Sequence, residues 1–178
     1  MENAFLPATV ASPPSSSPHE RAAEQGIKKP VVALAFASIG LVYMVMMVGV
    51  YLSNGPINDA GIACPEWPLC PNGLSGAPED RYLIEYVHRV LAVIAAGAVY
   101  ATAAAVMASS KGAGRGARIA SLVAAGIVTV QIVLGYLTVV SSLNPVVVAT
   151  HLSTGITLFA FGLLTFWWAR VWKKQWWS

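Results

Sequence analysis

The sequence predicts an all-α integral membrane protein built as a bundle of four transmembrane helices. Three observations lead there. Of the 178 residues, 56% are hydrophobic and only 11% charged, with a mean hydropathy of +0.63, which is too apolar for an ordinary soluble domain. Four stretches, Val31–Leu52, Tyr82–Ala108, Ile119–Val140 and Val146–Trp172, each exceed the ~20 residues a helix needs to cross the hydrocarbon core. Finally, the basic residues gather on one side of that layout.

Residues 1–29 are rich in Pro and Ser, including the run Ser12-Pro13-Pro14-Ser15-Ser16-Ser17-Pro18. Such a segment buries too little apolar surface to fold alone and is expected to be a disordered cytoplasmic tail. Residues 30–174 are expected to form the membrane domain. The first apolar run is too long for a signal peptide, and no small-residue cleavage site follows it. Arg21, Lys28 and Lys29 precede the first span, Lys111, Arg115 and Arg118 surround the second loop, and Arg170, Lys173 and Lys174 close the chain. Nine of the eleven basic residues thus share one side, which should be cytoplasmic. Both termini are then inside. The loop over 53–81 is external, with Asp59, Glu66, Glu79 and Asp80 against Arg81 alone. The net charge of +3 reflects this asymmetry and gives no reason to invoke nucleic acid; the surroundings are the lipid bilayer. Trp167, Trp168, Trp172, Trp176 and Trp177 cluster at the cytoplasmic end, where indole rings anchor helices. No internal repeat is visible.

The external loop contains Cys64-Pro65-Glu66-Trp67-Pro68-Leu69-Cys70-Pro71. Its two cysteines are the only ones in the chain and face a compartment that permits disulfides. Three prolines stiffen the stretch into a compact turn or lid. One reading is a structural disulfide that closes the loop; the other is a redox-active pair near a buried site. Zinc is disfavoured, because two thiolates are half a tetrahedral set and no histidine is near in sequence.

The second span opens on Glu85-Tyr86-Val87-His88-Arg89. Glu85 and His88, three apart, share a helix face, and Arg89 follows Glu85 by four, the favourable order for an ion pair. His151 stands five residues into the fourth span, as His88 stands six into the second. In a four-span topology those two helices run the same way, which puts both imidazoles roughly 10 Å below the same surface. An intramembrane polar residue is costly and usually functional. For one histidine the bland alternative is a hydrogen bond across the bundle, with Glu85 and Arg89 neutralising each other. Two at one depth form a pair of axial ligands for haem iron. With both axial positions filled, such an iron suits electron transfer better than oxygen binding. Gly97, several alanines and Gly155 would supply room, although small residues suit plain packing as well. Gln131, midway along the third span, reads as a bond to a neighbouring helix.

These motifs together resemble the haem A synthase family. The Cys64–Cys70 loop around Trp67-Pro68-Leu69 resembles its first external loop. Glu85-x-x-His88-Arg89 resembles its second-helix signature. Gln131-Ile132-Val133-Leu134-Gly135-Tyr136-Leu137-Thr138-Val139, with Pro145 and His151-Leu152, resembles its third and fourth helices. The resemblance covers roughly Gly49 to Phe166 and implies an enzyme that oxidises a methyl group of haem O to the formyl group of haem A. It implies His88 and His151 as axial ligands and Glu85 as the catalytic carboxylate. Arg89 would partner Glu85 or a haem propionate, with propionates facing the external side, and Cys64 and Cys70 match a pair that often forms a disulfide. Haem b is implied as cofactor, haem O as substrate, and the enzyme that makes haem O as a partner. Family members usually carry two four-helix halves, one for substrate haem and one for haem b. This chain resembles one half, so a homo-oligomer is expected. The segment Tyr51-Leu52-Ser53-Asn54-Gly55-Pro56 lacks the arginine expected before the loop. Two other classes compete: a haem b electron carrier that needs the histidines but not Glu85, and a membrane thiol oxidoreductase that needs the cysteines and no haem.

Overall fold

The computed structural model describes residues 29–54, 64, 66–68, 70, 82–109 and 114–171. Within them the chain forms four long helices and no strand: α1 (Lys29–Asn54), α2 (Leu83–Ala108), α3 (Arg115–Val140) and α4 (Pro145–Val171). All four are long and apolar enough to cross a membrane, with mean hydropathies of 2.5, 2.2, 2.1 and 1.7. The protein is therefore a multi-pass membrane protein of all-α class. The expected tail before Lys29 lies outside the described residues, as do most of the loop over 53–81 and Trp172, Trp176 and Trp177.

The helices outrun the apolar stretches where polar residues continue the turn. α3 begins at Arg115, four residues before Ile119, because hydropathy marks the hydrocarbon while helix geometry extends into the interface. The α3–α4 connection is set by local chemistry. Leu143 N–H donates to the Thr138 carbonyl (2.9 Å) and Ser142 N–H to that of Val139 (3.1 Å), the paired bonds of a Schellman end. Ser142 and Leu143 take φ of 51° and 60° to do this. Asn144 Oδ1 then accepts from Val146 N–H at 3.0 Å, capping α4 with Pro145 in the first helical position, where its missing N–H costs nothing.

α1 packs beside α2 and α4, and α3 beside α2 and α4, so α2 and α4 stand diagonally across a ring of four. The core is small and branched: Val42, Ala95, Ala96, Val99, Ala124, Val128 and Leu158. Lipid offers no hydrophobic drive between helices, so close approach of small residues holds the bundle. Large apolar side chains face outward instead, such as Phe36, Val93 and Val146, the reverse of a soluble bundle.

One buried hydroxyl from each helix, Ser38, Thr102, Ser121 and Thr165, lines a gap of about 20 Å³, room for one water. Ser38 and Thr102 bond each other across α1 and α2 at 2.9 Å. Thr102 follows His88 by 14 residues, and Thr165 follows His151 by the same 14, so both histidines lie about 21 Å along their helices from these hydroxyls.

Candidate functional site

The first turns of α2 carry most of the site. Glu85 lies in the first turn of the helix, where the exposed N–H groups favour a carboxylate. Its two oxygens have different partners: Oε2 accepts from Cys64 N–H at 2.8 Å, and Oε1 from Arg89. Arg89, only 10% exposed, also donates to the backbone carbonyls of Glu66, Cys64 at 3.3 Å and, at the 3.5 Å limit, Pro68. The expected Glu85–Arg89 ion pair forms, and both members also hold the cysteine loop. Arg89 matches this task because its planar fork reaches several acceptors at once.

Cys64 and Cys70 form a disulfide with a Cα–Cα separation of 5.3 Å. Both cysteines are buried, at 0% and 3% exposure, in a cluster with Tyr82 and Tyr86. A buried disulfide packed between rings is shielded from solvent thiols, which favours the structural reading over the thiol oxidoreductase. Trp67 reaches across to α3 and meets the edge of Tyr136, ring centroids 5.6 Å apart. The loop is therefore a lid tied to α2 by charge and to α3 by an aromatic contact. Among the described residues no group of three or more His, Cys, Asp or Glu could hold a metal ion by itself.

His88 and His151 project from the diagonal pair, α2 and α4, and lie within electrostatic reach of each other. Each rests on a glycine of an adjacent helix. A Cβ on Gly49 of α1 would stand 3.1 Å from His88 Cε1, and one on Gly135 of α3 would stand 3.7 Å from His151 Cε1. These two glycines are the residues that the sequence reading missed. Gly97, expected to supply room, has open space beside it and is exposed, so it contributes nothing here. No sequence spacing signals them: Gly49 precedes His88 by 39 residues and Gly135 precedes His151 by 16, and the pairing of each glycine with its histidine is visible only once helix packing is known.

Gln131 does bond a neighbouring helix, as expected: Nε2 donates to the His151 carbonyl at 3.0 Å. The absence of a side chain at Gly155 lets it reach that far, since a Cβ there would lie 3.0 Å from Nε2. Three atoms in this region are buried without a hydrogen-bond partner: Nδ1 of His88, Nδ1 of His151 and Oε1 of Gln131. Unsatisfied buried polar atoms are rare and call for a missing partner. Two unpaired imidazole nitrogens on diagonal helices, beside notches where a Cβ is missing, fit the donor set that haem iron takes.

A family model described as "Cytochrome oxidase assembly protein" matches residues 74–176, which include the first charged turn of α2 and both histidines. Two curated relatives are protohaem IX farnesyltransferases. That of Halobacterium salinarum is 32% identical over 130 residues, 73% of this chain and 27% of the relative. That of Haloarcula marismortui is 30% identical over 135 residues, 76% of this chain and 27% of the relative. The chain thus spans about a quarter of the length of the curated relatives it matches. No solved structure matches. With four spans, a glycine-seated histidine pair and this match over more than half its length, the chain belongs to the cytochrome oxidase assembly protein family, the family of haem A synthases.

Proposed function

We propose that this protein is a haem A synthase, an oxidoreductase that converts a methyl substituent of haem O into the formyl group of haem A. The observation that supports this most is the matched histidine pair, each with an unpartnered ring nitrogen, in a chain of this family. His88 and His151 would hold the haem iron, and bound haem would supply the iron redox chemistry. Haem O is the substrate, and haem b is the cofactor of the same type of site.

The chain's own residues then divide the work. His88 and His151 would hold the haem iron between α2 and α4. Glu85, one turn from His88 toward the lid, takes up a proton or balances positive charge that develops at the reacting methyl. Arg89 holds that carboxylate and the lid together. The lid, pinned by Cys64–Cys70 and Trp67, keeps bulk water from the loop end. We further propose that both termini are cytoplasmic and the lid external, in line with the basic-residue asymmetry. A second copy provides the other four-helix half. The match to part of two protohaem IX farnesyltransferases supports a working partnership with the enzyme that makes haem O.

The test is mass spectrometry of haem extracted from the purified protein after co-expression with a haem O source. Hydroxylated haem O or haem A, absent from an empty-vector control, is the expected result. Glu85→Ala should keep bound haem and lose both products. Haem b alone, with unmodified haem O available, would move the protein to the electron-carrier class.

A further inference from the structure

The amide of Gln131 is only half used. Its Nε2 is committed to the His151 carbonyl, which fixes Oε1 as the end that points elsewhere. Oε1 is buried and has no partner. A buried amide oxygen left unpaired is costly, so the site is built for a donor that arrives from outside the protein.

The position of Oε1 narrows the donor. Gly135 seats the His151 ring, and Gln131 lies four residues before it on α3. The amide therefore sits one helical turn, about 6 Å, deeper than the imidazole as measured from the lid end. Any tetrapyrrole held by the two histidines keeps its ionised propionates toward the nearer water, at the lid end, because carboxylates are expensive in hydrocarbon. Its opposite edge then points down the bundle to the level of Gln131. In haem O that edge carries a hydroxyl, on the carbon that joins the isoprenoid tail to the ring; in haem b the same position is a vinyl group with no donor. Among the described residues Oε1 has no hydrogen-bond partner. On the α4 side the amide passes Gly155, where a Cβ would lie 3.0 Å from Nε2.

We infer that Gln131 Oε1 accepts a hydrogen bond from the tail hydroxyl of haem O and so selects the hydroxyalkylated haem over haem b. This rests on haem ligation by His88 and His151, and it assigns Gln131 a specificity role in that site. A site that hydrogen-bonds a substrate hydroxyl rejects an analogue that lacks it, because the protein group is then stranded. Gly155 has a supporting part: it keeps open the space that the amide needs to stay in this orientation.

The experiment is a spectral titration of the purified apo-protein with haem O and, separately, with haem b, in wild type, Gln131→Met and Gly155→Ala. Methionine has the length of glutamine and no comparable acceptor. The hydrophobic tail favours haem O in every variant, so the quantity read is the change in the haem O to haem b affinity ratio. That ratio should fall by roughly fivefold to tenfold in Gln131→Met, the worth of one buried neutral hydrogen bond. Gly155→Ala should lower it in the same direction. Equal weakening of the two haems would show that Gln131 only ties α3 to α4, and an unchanged ratio would show that water satisfies Oε1; each overturns the inference. Failure of the wild type to bind either haem would overturn the histidine-ligand reading as well. That result is distinct, because it appears before any variant is compared.

Discussion

Arg89 should control access to a disulfide that it does not touch covalently. Arg89→Met keeps the length of the side chain and removes every donor. Cys64 and Cys70 are 0% and 3% exposed, so a reductant reaches them only when the lid lifts off α2. Arg89 donates to the lid carbonyls of Glu66 and Cys64; the contact to Pro68, at 3.5 Å, is discounted. A hydrogen bond with one charged partner contributes about 1.5–3 kcal/mol. Because the Glu66 contact is exposed, the lower end applies, giving about 3 kcal/mol for the pair. At about 1.4 kcal/mol per tenfold, the open population of the lid should rise by roughly a hundredfold. The assay is reduction of Cys64–Cys70 in detergent by a water-soluble phosphine, followed by a mass-tagged maleimide. Reduction proceeds from the open lid, so its rate follows that population. Arg89→Lys, with its charge retained but its fork lost, should fall between wild type and Arg89→Met. A rate for Arg89→Met within about threefold of wild type would refute the assignment of Arg89 as the anchor of the lid.

The two glycine seats should respond unequally. Gly49→Ala pushes a methyl to 3.1 Å from His88 Cε1, whereas Gly135→Ala makes an ordinary 3.7 Å contact with His151; overpacking of this kind costs about 1 kcal/mol or more. Haem affinity, read by titration, should drop by roughly fivefold in Gly49→Ala and hold in Gly135→Ala. The reverse order would be incompatible with the seats described. Ser142→Gly should stabilise the protein, since Ser142 adopts φ 51° at the end of α3 and glycine enters that region without the penalty of about 1 kcal/mol. The expected gain is about 2–4 °C in Tm, and a lower Tm would count against the turn geometry.

Four spans, their order and the disulfide-forming pair were legible in the sequence because they depend on quantities that add along the chain: apolar length, and two cysteines with no rivals. The expectation that His88 and His151 share a depth has the same basis, since helical rise converts residue number into depth. The Glu85–Arg89 pair followed from spacing within one helix. What the sequence left open depends on which helices touch. Nothing in the run from Val48 to Val50 says that Gly49 is a seat for a histidine 39 residues away, and Gly97 looked equally suitable until its open surroundings were known. Whether Gln131 has both ends of its amide satisfied, and whether Arg89 serves its own helix or a loop, could not be read from composition. The tertiary structure decided these because buried polar atoms are satisfied across helices, by partners whose distance in space bears no fixed relation to their distance in the chain.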